Sequence, residues 1–82
     1  MGDLDRGLLT ALKALRTDLA RAQSVPAYVV FPDRTLIDMT RLQPRDCAQM
    51  ALVNGVGEAK LERYGEAFLS AIRAYLDGGA AS

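Results

Sequence analysis

The sequence contains no histidine, no tryptophan and a single cysteine, Cys47, and each shortage removes a class of chemistry. One cysteine cannot form a disulfide within the chain, and without histidine the usual zinc ligand sets are missing. A fold held by packing alone, with no metal, is therefore expected. A lone thiol without an imidazole partner is also a poor nucleophile, so Cys47 reads as a small buried hydrophobe on a helix. The carboxylates are scattered rather than paired, and a non-catalytic module is expected. An excess of positive charge is missing as well, since ten basic residues balance ten acidic ones. Wrapping nucleic acid depends on such an excess, so any contact of that kind has to be local and modest. No apolar run approaches the ~20 residues of a membrane span, and the first residues lack the apolar core of a signal peptide. A soluble, cytoplasmic chain with no membrane partner is expected.

Half of the 82 residues are hydrophobic although aromatics are few, which points to a helical core of Leu, Ala, Val, Ile and Met. Residues 4–78 read as one domain, and residues 79–82 as a flexible tail with too little to bury. In residues 4–23, Leu8, Leu12, Leu15 and Leu19 recur at steps of four, three and four and fall on one stripe of a helix. Asp3 and Asp5 suit its positive end and Arg21 its negative end. Pro26 stops it. Residues 26–32 carry two prolines among Tyr, Val and Phe and read as an extended connector, its Val and Phe side chains plugging the core while others face solvent. Asp33 is the expected N-cap of a second helix to residue 42, with Leu36, Ile37 and Met39 inward. Pro44 suits the first position of a third helix running to about residue 52. The glycines of Val53-Asn54-Gly55-Val56-Gly57 mark a tight turn. A fourth helix over residues 58–64 should end at Gly65 as a left-handed cap, before a fifth over residues 66–77 with Phe68, Leu69, Ile72 and Leu76 buried. The expected fold is all-α, a compact five-helix orthogonal bundle.

Two places invite a functional reading. A turn carrying Gly55 and Gly57, followed by a helix with Lys60 and Arg63, is similar to helix-hairpin-helix elements, whose free amides and helix dipole attract a phosphate. Alternatively the glycines let two helices meet at a steep angle around Val56. Tyr28 lies in the connector, where no helical phase forces it inward. Its ring could stack on an unpaired base, or it could cap the core with its hydroxyl wet. Lys13, Arg16 and Arg21 on the first helix offer phosphate contacts beside it, or a solvated face.

Taken in order, the Leu-rich first helix, Val25-Pro26-Ala27-Tyr28-Val29-Val30-Phe31, Asp33-Arg34-Thr35-Leu36, Val53-Asn54-Gly55-Val56-Gly57 and Lys60-Leu61-Glu62-Arg63-Tyr64-Gly65 resemble the HRDC domain (helicase and RNase D C-terminal) of bacterial RecQ-type DNA helicases. The resemblance covers residues 4–78. It implies a five-helix module tethered to a helicase, assisting DNA binding and the choice among DNA structures in the bacterial cytoplasm, near the nucleoid. It implies no cofactor in this domain, with ATP and magnesium belonging to the motor of the parent helicase. The implied partners are single-stranded or branched DNA, held weakly, and the helicase core of the same chain, and the isolated domain would be a monomer. It also lifts Tyr28 to a single-strand contact, with Lys13, Arg16, Arg21, Gly55, Gly57 and Lys60 around it. Gly7, Ala11, Ala14 and Thr17 occupy first-helix positions where a strongly binding member would place lysine or arginine. A second reading, favoured by the zero net charge, is a docking module for the helicase core or another protein. A third places the domain in an RNase D-like nuclease.

Overall fold

The computed structural model describes residues 4–78 and contains five helices. The expected tail at 79–82 and the expected role of Asp3 lie outside the described residues. Helix α1, Arg6–Gln23, starts where Asp5 accepts a hydrogen bond from the Leu8 amide at 3.1 Å. It closes with Ser24 in the left-handed region (φ 56°), whose amide and that of Val25 return to the carbonyls of Arg21 and Ala20. This is the Schellman arrangement, made here without glycine. Leu8 and Leu12 are fully buried, and Leu15 and Leu19 pack partly buried against the same core.

The expected extended connector is instead a single helical turn, α2, Ala27–Val30. Pro26 presets its entry with φ −62° and lacks only an amide that a first turn leaves unpaired anyway. The β preference of the Tyr-Val-Val run gives way to tertiary packing, because a helical turn drives both Val30 and Phe31 into the interior. The expected division holds for Val30 and Phe31 inward and Tyr28 outward, but Val29, expected inward, is exposed.

Helix α3, Asp33–Leu42, has Pro32 rather than Asp33 at its N-cap position, with no side-chain cap. Asp33 is the first helical residue and turns its carboxylate to Arg16. Leu36 and Met39 are buried, while Ile37 is only half-buried. The third helix is also shorter than expected. Asp46 caps it through the Gln49 amide at 2.8 Å, so α4 is Cys47–Met50, and Pro44 lies buried ahead of it. Cys47 is exposed, contrary to the buried role expected from its composition. Met50 and Val53 take the inward positions instead.

Helix α5, Glu58–Leu76, is continuous through Gly65, where a break was expected. A mid-helix glycine costs about 1 kcal/mol relative to alanine, but it does not stop a helix whose buried stripe runs past it. Tyr64, Phe68, Leu69 and Ile72 form that stripe, and Gly65 is itself buried, with a Cβ there only 2.9 Å from Leu61 Cδ1. Helix α5 packs on α1 and α4, and α1 also packs on α2 and α3. Phe31 lies at the centre, edge-on to Tyr64 at 5.8 Å and to Phe68 at 5.1 Å between ring centroids. The two ends of the fold are tied together by the Tyr75 hydroxyl, which donates to Asp5 Oδ1 at 2.8 Å. Gly7 permits this, since a Cβ at that position would lie 2.3 Å from the Tyr75 hydroxyl oxygen. The described residues contain no strand, and no helix long and apolar enough to cross a membrane.

Candidate nucleic-acid interface

A four-residue helix cannot sustain itself, because nucleation fixes several residues for one hydrogen bond and the last carbonyls have no partner within the helix. In α2 those carbonyls are met by two cations from other helices. Lys60 of α5 donates through Nζ to the Val29 and Val30 oxygens and lies 5.5 Å from the centroid of the Phe31 ring. Arg16 of α1 donates through Nη1 to the Phe31 oxygen at 2.9 Å, and the same nitrogen is 2.8 Å from Asp33 Oδ1. The Arg16 side chain is only 11% exposed. Its hydrogen bond and charge, with a smaller contribution from Lys13, hold the Asp33 carboxyl below the usual carboxylate range. Two cations expected to meet phosphate thus brace the backbone of the turn that carries Tyr28.

Tyr28 stands on this braced turn with 69% of its surface exposed. Lys13 and Arg21 are exposed on α1, but five residues separate Arg21 from Arg16, which puts them ~140° apart around the helix. Arg21 therefore does not share the Arg16 face.

The glycines of the turn before α5 differ from each other. Gly55 adopts φ +91° and rests on the buried Thr35, where a Cβ would lie 2.3 Å from Oγ1. Gly57 is the N-cap of α5 with φ −86° and open space around it. Val56 is buried between the helices. The Asn54 amide already donates to Asp38 Oδ2 at 2.8 Å, and Glu58 occupies the first turn of α5. Two carboxylates close to the turn weaken its attraction for a phosphate, and these placements favour the packing reading of Gly55.

A feature with no clear sequence signal lies beside Tyr28. The end of α1, α2 and the start of α5 enclose a groove of about 520 Å³, lined by Val25, Val29, Ala59 and Tyr64 together with Gln23, Lys60 and Arg63. The Tyr64 hydroxyl donates to Gln23 Oε1 at 2.9 Å, and Gln23 Nε2 donates to the Leu19 oxygen at 3.3 Å. The Arg63 guanidinium lies 6.0 Å from the Tyr64 ring centroid. The three-residue step from Lys60 to Arg63 is visible in the sequence, but their meeting with Val25 and Val29 depends on how α2 docks. No group of acidic or thiol side chains suited to hold a metal ion occurs among the described residues.

Five helices around one aromatic centre, with a proline-bounded turn seated between the first and last, define an all-α accessory-domain fold of the HRDC type. The chain belongs to the HRDC domain family, whose model matches residues 5–72. It is similar to the ATP-dependent DNA helicase UvrD2 of Mycobacterium tuberculosis, 46% identical over 71 residues, covering 87% of this chain and 10% of that protein. It is also similar to the ATP-dependent DNA helicase RecQ of Pasteurella multocida, 41% identical over 69 residues, covering 84% of this chain and 11% of that protein. Among solved structures it matches D. radiodurans RecQ HRDC domain 3 with a TM-score of 0.83 and 43% identity, over 85% of this chain and 92% of that one. The chain thus spans about a tenth of the length of these curated relatives.

Proposed function

We propose that this chain is the accessory, non-catalytic domain of an ATP-dependent DNA helicase, and that it makes a weak single-strand contact through Tyr28 which biases the DNA structures the helicase engages. The observation that carries this reading is the exposure of Tyr28 on a turn whose carbonyls are held by Lys60 and Arg16. A turn whose backbone is already held has less to order when a base stacks on its exposed ring, and such stacking is worth about 1–3 kcal/mol and tolerates any sequence. Motor chemistry with ATP and magnesium belongs to the rest of the parent protein, in the bacterial cytoplasm. Relatives named RecQ and UvrD2 match at similar identity, so either type of motor suits the domain.

Zero net charge and two cations already engaged leave only local electrostatics, so the free domain binds weakly. Tethering compensates, because a linked module meets DNA held by its own helicase at an effective concentration near the millimolar range. The test is fluorescence anisotropy with single strands, duplexes, forks and junctions. Tyr28→Ala should weaken single-strand binding by about 5- to 150-fold, the equivalent of ~1–3 kcal/mol, while leaving the thermal melt unchanged. Equal binding by the variant removes Tyr28 from the site.

The balanced charge also favours a second reading, a module that docks on the helicase core or another protein and ignores DNA. In an NMR titration, DNA should shift amides near Tyr28. A docking module would be silent to DNA and respond to the helicase core.

A further inference from the structure

We propose that the groove beside Tyr28 is a second nucleotide subsite, which takes the base next to the one stacked on Tyr28 while Arg63 holds the phosphate joining them. This rests on the Tyr28 reading and extends it from one base to a dinucleotide. Three observations point to this occupant. The groove borders the turn that carries Tyr28: Val29, the next residue of that turn, is one of its lining residues and is 39% exposed. In this arrangement the strand runs from the Tyr28 ring across Val29 into the groove.

The second observation is its surface. Val25, Val29 and Ala59 offer apolar area to a base, with the mostly buried Tyr64 at the floor, and the volume of about 520 Å³ lies within the ~300–1,000 Å³ usual for small-ligand sites. The walls are also rigid. The Tyr64 hydroxyl is held by Gln23, and Gln23 is held in turn by the Leu19 carbonyl. One amide hydrogen of Gln23 and one ammonium hydrogen of Lys60 remain for the exocyclic oxygens of a base.

The third observation is charge. The lining includes Lys60 and Arg63 and no carboxylate. Lys60 is largely spent on the Val29 and Val30 carbonyls. The ion pair found among the described residues is Arg16 with Asp33, so the Arg63 guanidinium keeps its donors and is steered only by the Tyr64 ring. A planar fork of donors beside apolar side chains suits a phosphodiester attached to a base. An acidic peptide would satisfy the cation but would leave Val25, Val29 and Ala59 without a matching apolar partner.

The experiment measures anisotropy of labelled decathymidylate across a salt series for the wild type, Tyr28→Ala, Arg63→Ala and Arg41→Ala, with methyl spectra of Val25 and Val29 recorded during titration. Arg63 is exposed and Arg41 is another exposed cation outside the groove lining, so neither change disturbs the core. Arg63→Ala should weaken binding by about two- to fivefold, as for an exposed ion pair. It should also make the log–log salt slope shallower by about 0.7, the value for one phosphate on a single strand. Arg41→Ala should do neither, Tyr28→Ala should weaken binding without changing the slope, and the Val25 and Val29 methyls should shift with DNA. If Arg63→Ala matches Arg41→Ala, or the methyls stay still while Tyr28→Ala still weakens binding, the groove proposal fails and the Tyr28 contact survives. If neither Tyr28→Ala nor Arg63→Ala matters, both readings fail. Methyl shifts with a polyglutamate peptide but not with DNA would assign the groove to a protein.

Discussion

Gly55 and Gly57 look interchangeable in a sequence and have different obligations in the fold. Gly55 holds φ +91°, a region L side chains rarely adopt, and its Cα presses on Thr35 so closely that a Cβ would lie 2.3 Å from the hydroxyl oxygen. Gly57 has an ordinary φ of −86° and open space. Gly55→Ala should therefore destabilise the domain by about 1–3 kcal/mol, the scale of a strained backbone position. Gly57→Ala should cost less than about 1 kcal/mol, the loss of a tolerable N-cap. Urea denaturation of the two variants checks this, and an equal or reversed order of midpoints would show that Gly57 carries the strain. The same divide between residue type and residue use governs what could be read in advance. The exposure of Tyr28 was legible because no periodicity called it inward. Arg16 and Lys60 were visible as cations, but their engagement with the carbonyls of α2 was not, since those carbonyls need partners only once the connector folds as a helix. Nothing in composition distinguishes a cation bound for phosphate from one that caps a turn.

At the scale of elements, the helices α1, α3 and α5 follow from apolar periodicity, and the misreadings cluster where one local rule competed with packing. Proline and β-branched residues argued for an extended segment at α2, and a buried Val30 and Phe31 overrode them. Gly65 argued for a helix end, and the stripe from Tyr64 to Ile72 overrode it. The contact between the beginning of α1 and the end of α5 was beyond any local rule, because Asp5 and Tyr75 are 70 residues apart. It has a pH signature. The hydrogen bond from Tyr75, and after it that from the Leu8 amide, lowers the Asp5 pKa below its ordinary value of 3.8. A carboxylate whose folded pKa is depressed contributes stability that is complete above the unfolded value and is lost as pH falls through the folded one. The same bond raises the Tyr75 pKa above 10.0, so on the alkaline side the contribution is present below that value and is lost as pH rises through the raised one. Asp33, lowered by Arg16, adds to the acid limb alone. Asp5→Asn should thus flatten both limbs of the melting temperature against pH, and leave the residual acid decline that belongs to Asp33. Thermal melts in buffers spanning acid to alkaline pH check it, and an acid limb unchanged in the variant would show that the Asp5 to Tyr75 contact does not stabilise the fold.

At the scale of the whole molecule, the all-α class and the family were legible because ordered motif blocks recur at their proper separation along the chain, and the structure has the fold of D. radiodurans RecQ HRDC domain 3. The groove was not legible, because its lining joins residues 23–29 to residues 59–64 of α5, about thirty positions further along the chain. What the whole molecule decides is the electrostatic reach of the site. Ten basic and ten acidic residues cancel, so DNA arriving from solution meets no general attraction, only the cations close to Tyr28. Each phosphate neutralised on a single strand contributes about −0.7 to the slope of log affinity against log salt, and two or three contacts give about −1.4 to −2.1. Anisotropy with single-stranded DNA over a tenfold salt range measures this directly. A slope several times steeper would mean that the domain gathers phosphates over a broad surface, which the charge balance does not supply. A slope near zero with Tyr28-dependent binding would mean that stacking acts without any cation, leaving Lys13, Arg21 and Arg63 as solvated side chains.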